Sequence, residues 1–588
     1  MAKAAPPSVR YRLAFPDPKS HLVSVEMRIA AGHPEPLSVA MAAWTPGSYK
    51  VRDFARHVQD VSVTDERGRK LAFEKTDKQT WRITATSRTA VLVRYRVYAN
   101  ELGVRTSVLD DRHAHLNGAS LFLYVPELTK SPVEVTVEAP RGWKVAAALE
   151  SRGKGRYVAA DFDALVDGPI QLGVFDEAHF RERGVPHRVV LSGVGRIKAV
   201  DLVPDLQKIV RAGAALWGPE GGSARAGGGL PYKDYTFFIN LASEPGGGLE
   251  HKSSCSLIVA RDGFAPRERY LEFLLLAAHE HFHAWNVKRL RPQALGPFDY
   301  RGERYTRMLW VAEGFTSYYE KLLLLRAGLA SAEEILALFA EKIRTLRETP
   351  GRAVQSVADA SFDAWIRYYQ PSEHSPNVSV SYYHKGQLIG LLLDLEIRRR
   401  TRGRRSLDDV MRRLYASYAG AHGYPDAALR EAAEAVAGGS LGGFFGDYVD
   451  GVAELDFEAA LSAVGLQLIA EDDDPPTADL GVLLDRRRDA AILSSVLTGG
   501  PGAKAGLDAR DEIVAWDGVR VDRDKLEKRL AAHRPAERVQ VTVFRADLLR
   551  QFDVVLGRKP PRKLRIAPKK TVPRTQRALY ERWMNPKA

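Results

Sequence analysis

The most informative stretch of this 588-residue chain is Leu274-Leu275-Leu276-Ala277-Ala278-His279-Glu280-His281-Phe282-His283. It is an apolar run that ends in the pattern His-Glu-x-x-His. On a helix, residues four positions apart lie on one face, so His279 and His283 would point at the same place, with Glu280 beside them. Two imidazoles suit zinc, and an adjacent carboxylate can take a proton from zinc-activated water. The pattern therefore predicts a metal-binding helix, on which His281 points away towards packing or a surface contact.

A catalytic zinc site needs a third protein ligand and one open position. We expect this ligand on another element, and the best candidate is Glu313, in Trp310-Val311-Ala312-Glu313-Gly314-Phe315-Thr316. A carboxylate in so apolar a stretch needs a partner, because burying an unpaired charge is costly. Glu320, seven residues later on the same helical face, is the alternative ligand. It could instead accept a hydrogen bond from one of the two histidines.

The composition is that of a globular protein with three or four domains. Hydrophobic residues make up 45% of the chain and charged residues 27%, and no apolar run approaches the roughly 20 residues that span a bilayer. The single cysteine, Cys255, excludes an intrachain disulfide and a zinc site built from cysteines. Residues 1–7 contain no apolar stretch that resembles a signal peptide. These features favour the cytoplasm, and a periplasmic location stays open if a leader has been removed.

The net charge of +13 is concentrated near one end of the sequence. Residues 558–588 contain eleven Lys or Arg and one acidic residue, so this segment carries +10 and residues 1–557 carry +3. A basic tail of this kind can bind nucleic acid or an acidic surface. We expect instead a solvated or loosely docked extension.

The pattern of polar and apolar residues divides the rest of the chain. Residues 23–29 and 133–138 alternate apolar and polar side chains, which predicts a β-sandwich domain at 1–180. From residue 266 the pattern becomes helical, with helices expected at about 266–283, 307–325, 331–347, 383–400, 406–417, 427–437 and 441–449. Ser331 would cap the third of these, with Glu334 completing a capping box.

These helices predict a mainly helical catalytic domain at residues 181–465. A glycine-rich loop is expected at 218–229, before a strand at 235–240. A polar linker at 471–476 leads to short strands and the glycine-rich stretch 499–507, which indicate a further small domain at 478–557. The basic tail at 558–588 follows it.

Several segments together resemble one known family. Residues 279–292, His-Glu-His-Phe-His-Ala-Trp-Asn-Val-Lys-Arg-Leu-Arg-Pro, resemble the zinc signature of the glycyl aminopeptidase family. Trp44-Thr45-Pro46-Gly47-Ser48-Tyr49 resembles its N-terminal β-domain, and Gly246-Gly247-Gly248-Leu249-Glu250-His251 resembles its exopeptidase loop. Further matches are Ser440-Leu441, Phe444-Phe445 and Tyr448-Val449 in the late helical segment, and residues 480–521, which are similar to bacterial PDZ domains. The resemblance covers nearly the whole chain except the basic tail.

The resemblance implies a multidomain α+β fold, with an N-terminal β-sandwich, a thermolysin-like and mainly helical catalytic domain, and a C-terminal PDZ-like domain. It implies a gluzincin site in which His279, His283 and Glu313 hold one Zn²⁺ per chain. Glu280 would be the general base towards zinc-activated water. The implied reaction is hydrolysis of the N-terminal peptide bond, with a preference for small residues such as Gly or Ala.

Glu250 is the residue that would make such an enzyme an aminopeptidase. Its carboxylate would pair with the free α-ammonium of the substrate and close the cleft to a mid-chain peptide. Gly247 and Gly248 would let the backbone approach the substrate strand. The loop resembles the Gly-x-Met-Glu-Asn loop of the broader zinc aminopeptidases.

Tyr383, in Tyr382-Tyr383-His384-Lys385-Gly386, matches the Tyr-x-Lys-Gly tyrosine of the same relatives. In those relatives the phenol hydroxyl stabilises the tetrahedral oxyanion, and hydrolysis of a peptide bond requires a hydrogen-bond donor at that position. The alternative for Tyr383 is a purely structural role, as an aromatic side chain that packs in the core at the start of a helix. His384 stands where the relatives often have Glu.

Other functions stay open at the level of sequence. The chain could be a peptide-binding scaffold with weak or no peptidase activity. Its PDZ-like domain would bind C-terminal peptides by strand addition, with the loop Leu480-Gly481-Val482 capturing the carboxylate. That domain could equally only brace the catalytic domain. An endopeptidase is a further alternative, against which Glu250 argues. Nucleic-acid binding rests on the basic tail alone and ranks last.

Overall fold

The computed structural model describes residues 8–217, 229–420, 422–471, 476–561 and 563–585. The chain divides into two compact units. The first contains residues 1–305, 319–329 and 412–425, and the second contains residues 306–318, 330–411 and 426–588. Almost all of the predicted glycine-rich loop at 218–229, and most of the predicted linker at 471–476, lie outside the described residues.

The first unit begins with a β-rich domain, as the alternating sequence predicts. Along the strand Leu22–Ile29 every second side chain is buried, which places Val23, Val25 and Met27 in the core. One sheet contains, in spatial order, Glu150–Gly153, Arg156–Ala159, Val133–Glu138, Val9–Ala14, Leu22–Ile29, Val91–Tyr98 and Val58–Asp65. A second contains Leu123–Tyr124, Leu37–Met41, Thr80–Ile83 and Phe73–Lys75, and a third contains Lys144–Ala147, Ile170–Gly173, His113–Leu116 and Val108–Leu109. Short helical turns lie at Pro18–Ser20, Phe54–His57, Gly118–Ser120, Pro126–Leu128 and Phe162–Val166.

A mixed sheet follows in the same unit. Its strands, in spatial order, are Phe175–Glu182, Val185–Ser192, Tyr235–Ala242, Ser254–Ala260 and Gly247–Glu250. Tyr235–Ala242 is almost entirely buried and pairs in parallel with both of its neighbours, as a central strand covered by helices does. The helices Ala199–Trp217 and Arg267–Phe282 belong to this part of the unit. Gly247–Glu250 is an edge strand, so its outer side is left for other groups.

The helix expected at 307–325 begins irregularly. Residues Trp310–Phe315 form a π-helix, which continues as the α-helix Thr316–Arg326. A π-turn inserts one residue into the helical repeat and is frequent at functional sites. The hydrophobic pattern of the sequence does not distinguish this turn from an α-helix.

In the second unit, helices lie where the sequence predicts them at Ala332–Arg347, Tyr382–Thr401 and Ala428–Ala437, and the segment predicted at 441–449 forms Gly442–Phe445 and the π-helix Gly446–Asp450. The helices Val357–Phe362, Ser375–Val378 and Phe457–Ala463 were not predicted. Leu407–Tyr418 begins in this unit and ends in the other. The predicted capping box is confirmed, since Ser331 and Glu334 each accept a hydrogen bond from the other's backbone N–H. Among the residues that the structure describes, no helix is long and apolar enough to cross a membrane.

Residues 478–558 form a small β-domain with its own core, which includes Leu493, Ile513, Trp516 and Val541. Its main sheet contains Val482–Leu484, Ala491–Val496, Glu512–Trp516, Arg538–Arg545 and Leu548–Val555, and Val519–Arg520 pairs with Glu512–Trp516. Ala478–Asp479 pairs with Gly557–Arg558, and the helices are Pro501–Ala505 and Arg523–Ala532. The domain is an insertion, because Leu466–Glu471 before it pairs with Lys563–Pro568 after it.

The basic tail is not the solvated or loosely docked extension that its composition suggests. After the strand Lys563–Pro568, the helix Arg574–Met584 buries Trp583, whose indole N–H donates to Tyr318 Oη at 3.1 Å. Arg398 also donates to the carbonyl of Arg582. The charge count misled because the basic side chains are mostly exposed, whereas the apolar residues Trp583 and Met584 of the same helix are buried.

Candidate metal centre

The double-histidine motif lies at the buried C-terminal end of a helix whose first turn is exposed. Arg267–Phe282 starts after Pro266, carries His279 in its last turn, and is followed directly by His283. Both histidines are buried, and their ring centroids are 4.7 Å apart with the planes at 81°. The structure thus brings the two predicted ligand imidazoles together.

Hydrogen bonds fix which ring nitrogen of each histidine carries the proton. Nδ1 of His279 donates to Glu320 Oε2 at 2.7 Å, and Nδ1 of His283 donates to the carbonyl of Asn286 at 2.7 Å. Carboxylate and carbonyl oxygens only accept, so Nδ1 is protonated and Nε2 carries the lone pair that binds a metal. Glu320 therefore has the orienting role that the sequence left open.

Glu320 remains a carboxylate in this position. Its burial favours the protonated form, but Lys321 Nζ at 2.6 Å and the hydrogen bond from His279 outweigh burial and lower the pKa of Glu320. An ionised acceptor holds the imidazole more strongly than a neutral one.

The edge strand Gly247–Glu250 lies against the side chain of Glu280. A Cβ atom on Gly248 would overlap the Glu280 carboxylate and its Cγ, so only glycine permits this approach. Gly247 has a φ of +77°, in the left-handed region that glycine adopts without strain. Gly248 thus permits the close approach of this strand to the buried Glu280, and Gly247 permits the backbone turn beside it.

Glu250 completes a compact group with Glu280 and His283. One carboxylate oxygen of each glutamate and one imidazole nitrogen of His283 lie within 4.8 Å of one another, and all three residues are buried. Gly47, at a φ of +94°, borders the group, since a Cβ there would lie 2.7 Å from both carboxylate oxygens of Glu250. The Trp44-to-Tyr49 segment of the β-domain therefore forms part of the wall around Glu250.

A pocket opens beside Glu250 in the first unit. Trp44, Tyr49 and Phe298 form much of its apolar wall, and Lys288 and Asp167 lie in its lining. Oε1 of Glu250 is buried and has no hydrogen-bond partner among the described residues. An unsatisfied buried carboxylate oxygen at a pocket is suited to a positively charged guest.

The sequence analysis did not predict an ion pair between Lys288 and Asp167 in the pocket beside Glu250. Lys288 Nζ lies 2.6 Å from Asp167 Oδ1, and both side chains are largely buried. Lys288 lies in the signature segment 279–292, so its position in the sequence could have indicated a role at the site. No sequence pattern indicated Asp167, because it belongs to the β-domain and lies far from Lys288 in the chain.

In the second unit, Glu313 and Tyr383 lie on two helices in close contact. The backbones of Gly314 and Gly386 touch, since a Cβ on Gly314 would lie 2.6 Å from the Cα of Gly386. Ser381 caps the helix Tyr382–Thr401 by accepting from the N–H of His384, which places Tyr383 in the first turn.

The environment of Tyr383 keeps its phenol protonated. Burial, followed by the nearby Glu313 carboxylate, raises the pKa of Tyr383 well above its usual value. Tyr383 therefore offers an O–H donor at any pH near neutrality. It also packs on Tyr368 and Tyr382, so the packing role and the donor role are compatible.

His281 has the packing role predicted for it. It is fully buried and its Nε2 lies 2.7 Å from Tyr232 Oη. Burial lowers its pKa well below the usual value, so the ring stays neutral.

Comparisons with known proteins agree with this arrangement. Residues 10–174 match the Peptidase M61 N-terminal domain, residues 272–389 match the M61 glycyl aminopeptidase, and residues 478–556 match the PDZ domain. The chain is also similar to a crystal structure of an aminopeptidase N family protein from Idiomarina loihiensis, with 28% sequence identity and a TM-score of 0.90. That match covers 98% of this chain and 100% of the other. No curated protein matches the sequence.

These matches confirm the family resemblance seen in the sequence. They also confirm the order of a β-rich domain, a helical middle region and a PDZ domain. Together with the buried group of His and Glu side chains, they support a peptidase function.

Proposed function

We propose that this chain, which carries the two peptidase domains of the M61 glycyl aminopeptidase family, is a zinc-dependent aminopeptidase. The observation that carries the proposal is the proximity of Glu250 to Glu280. In a peptide with a free N-terminus, the ammonium nitrogen and the first carbonyl carbon are only about 2.5 Å apart. The carboxylate that pairs with this ammonium must therefore lie close to the base that activates water for attack on this carbonyl.

We assign the zinc to His279, His283 and Glu313, the ligands that the family resemblance implies, each of which is buried. The donor set fits, because two imidazoles and one carboxylate are ligands that catalytic zinc accepts. It is further supported by the Nδ1 hydrogen bonds of both histidines, which direct each Nε2 lone pair to a metal. Zinc, when bound, would make water nucleophilic near neutral pH and polarise the substrate carbonyl.

The protein side chains have separate tasks in the proposed reaction. Glu280 takes a proton from the attacking water and passes it to the leaving amine. Tyr383 donates a hydrogen bond to the oxyanion that develops on the substrate. Glu250 holds the α-ammonium, with Gly247 and Gly248 providing the close backbone approach.

Substrate and location are part of the proposal. The preference for N-terminal Gly rests on the description of the matched family, and Ala is included as the next smallest residue. The PDZ domain would bind peptide C-termini by strand addition. The lone, buried Cys255 is compatible with the cytoplasm. The domain boundaries at 1–180, 181–465, 478–557 and 558–588 belong to the same proposal.

The central test compares the wild type with Glu280→Gln for zinc content and for release of chromophore from Gly-, Ala- and Leu-anilides. We expect one zinc per chain in both proteins, with a loss of at least 100-fold in kcat for the variant, because general-base catalysis contributes about 10²–10⁴-fold. Glu268→Gln, exposed at the start of the same helix, is the matched control. A wild type without zinc, or a fully active Glu280→Gln, would refute the proposal.

Glu250 is tested by the ratio of activities on free and N-acetylated peptides. Glu250→Ala should reduce hydrolysis of the free peptide far more than that of the acetylated one, since only the former offers an ammonium. The exposed Glu244→Ala serves as control. Equal losses on both substrates would remove the role of Glu250 as amine anchor.

A further inference from the structure

Three buried charges share the pocket beside Glu250. Glu250 and Asp167 are the two carboxylates, and Lys288 is the ammonium group. Lys288 Nζ lies 2.6 Å from Asp167 Oδ1, and the backbone N–H of Lys252 donates to Asp167 Oδ2 at 2.7 Å. His251 Nδ1 lies 3.6 Å from Asp167 as well. Asp167 is thus well supplied with partners, whereas Oε1 of Glu250 accepts no hydrogen bond from the described residues.

Lys288 is attracted by both carboxylates. Burial lowers its pKa, but Asp167 first and Glu250 second outweigh burial, and the net pKa is raised. A lysine side chain is long and flexible, so the ammonium can exchange between two acceptors in the same pocket. If Lys288 paired with Glu250, the amine anchor would be neutralised before a substrate arrived.

We propose that Asp167 is a positioning residue that holds Lys288 away from Glu250 and so leaves the Glu250 carboxylate for the α-ammonium of the substrate. The proposal rests on the proposed function. With Lys288 paired to Asp167, the buried carboxylate of Glu250 stays available in this pocket for a monocationic guest. Selection of a free N-terminus therefore depends on a residue of the β-domain that does not itself contact the substrate.

A positioning role for Asp167 predicts a change in KM that a purely structural role for Asp167 does not predict. Asp167→Asn should release Lys288 to Glu250 and raise KM for Gly-anilide at least 10-fold, with kcat changed less than threefold. In Asp167→Asn/Lys288→Met the competing ammonium is gone, so KM should return to within about threefold of the wild type. The second substitution is thus expected to rescue the first.

The experiment measures kcat and KM for the wild type, Asp167→Asn, Lys288→Met and the double variant, with thermal unfolding to confirm that each is folded. Asp111→Asn, an exposed change in the same β-domain, is the control. An unchanged KM in folded Asp167→Asn, or a double variant no better than Asp167→Asn, would overturn the proposal.

A failure of the proposed function is distinguishable from a failure of this inference. If the wild type releases no N-terminal residue, the aminopeptidase assignment falls. Crystal structures of the wild type and of Asp167→Asn then decide the positioning role. Lys288 Nζ moving to hydrogen-bond distance of Glu250 in the variant supports the proposal, and an unmoved Lys288 overturns it.

Discussion

Glu320 Oε2 accepts a hydrogen bond from Nδ1 of His279 at 2.7 Å, while Glu320 Oε1 lies 2.6 Å from Lys321 Nζ. The carboxylate thus bridges a proposed metal ligand and a buried lysine. This bridge fixes the ring orientation and the tautomer of His279. It also explains why a second glutamate lies on the helical segment that carries Glu313.

The first prediction concerns zinc affinity. Glu320→Gln removes the negative charge that orients His279, and loss of such an orienting partner reduces metal affinity about 10–100-fold. Competition with a chelator measures the change, and Glu333→Gln, an exposed position on the next helix, is the control. If Glu320→Gln binds zinc as tightly as the wild type, the negative charge of Glu320 has no role in metal binding.

The second prediction concerns the approach of the edge strand to the general base. Gly248→Ala would place a Cβ against the Glu280 side chain and displace one or the other. A displacement of about 1 Å can cost about 100-fold in rate, so we expect a loss of that size in kcat/KM. Gly302→Ala is the matched control, because a Cβ there meets no atom within 4 Å. Full activity of Gly248→Ala would show that the close approach has no part in catalysis.

Contacts between residues close together in the chain could be predicted from the sequence. The double-histidine turn and the capping box of Ser331 and Glu334 involve residues three or four positions apart, so helix geometry alone brings them together. The approach of Gly47 to Glu250, and of Asp167 to Lys288, joins segments far apart in the chain. Such contacts are decided by the packing of whole sheets, which no local pattern encodes.

The position of the basic C-terminal tail also could not be predicted from the sequence. Its composition is dominated by basic residues, and composition correctly describes its exposed face. It says nothing of Trp583, a single aromatic side chain whose burial fixes the position of the helix. One specific contact outweighs an average charge, because burying an indole stabilises a fold by several kcal/mol, whereas solvated charges contribute little.

The third prediction follows from Trp583. Tyr318 accepts from the indole N–H and donates to Asp394 Oδ2 at 2.6 Å, and Asp394 also pairs with Arg398. Trp583→Ala should lower the free energy of unfolding by about 3–5 kcal/mol, the usual cost of removing a buried tryptophan. Trp583→Phe, which retains an aromatic ring but lacks the N–H, should cost less than half as much.

Urea unfolding at fixed pH measures both variants, with Arg577→Ala on the exposed face of the same helix as control. A change below 1 kcal/mol for Trp583→Ala would mean that the C-terminal helix does not contribute to the stability of the second unit.

The last prediction uses Lys385, which is buried in the second unit and whose Nζ has no hydrogen-bond partner among the described residues. Burial lowers the pKa of Lys385 from 10.5 to about 8, and attraction by Glu454 offsets only part of this effect. Below pH 8 the lysine is charged in both folded and unfolded chains, so folding carries the full cost of burying the charge. Between pH 8 and 10.5 the folded state loses the proton first, and this cost disappears as the pH rises.

Lys385→Met should therefore be more stable than the wild type at pH 7, by about 3 kcal/mol from the pKa shift. This difference should shrink steadily from pH 8 to 10.5, as measured by urea unfolding at several pH values. The exposed Lys504→Met should follow the wild-type curve across the range. A stability difference that stays constant with pH would contradict the lowered pKa, because it would arise from side-chain packing alone and not from the proton.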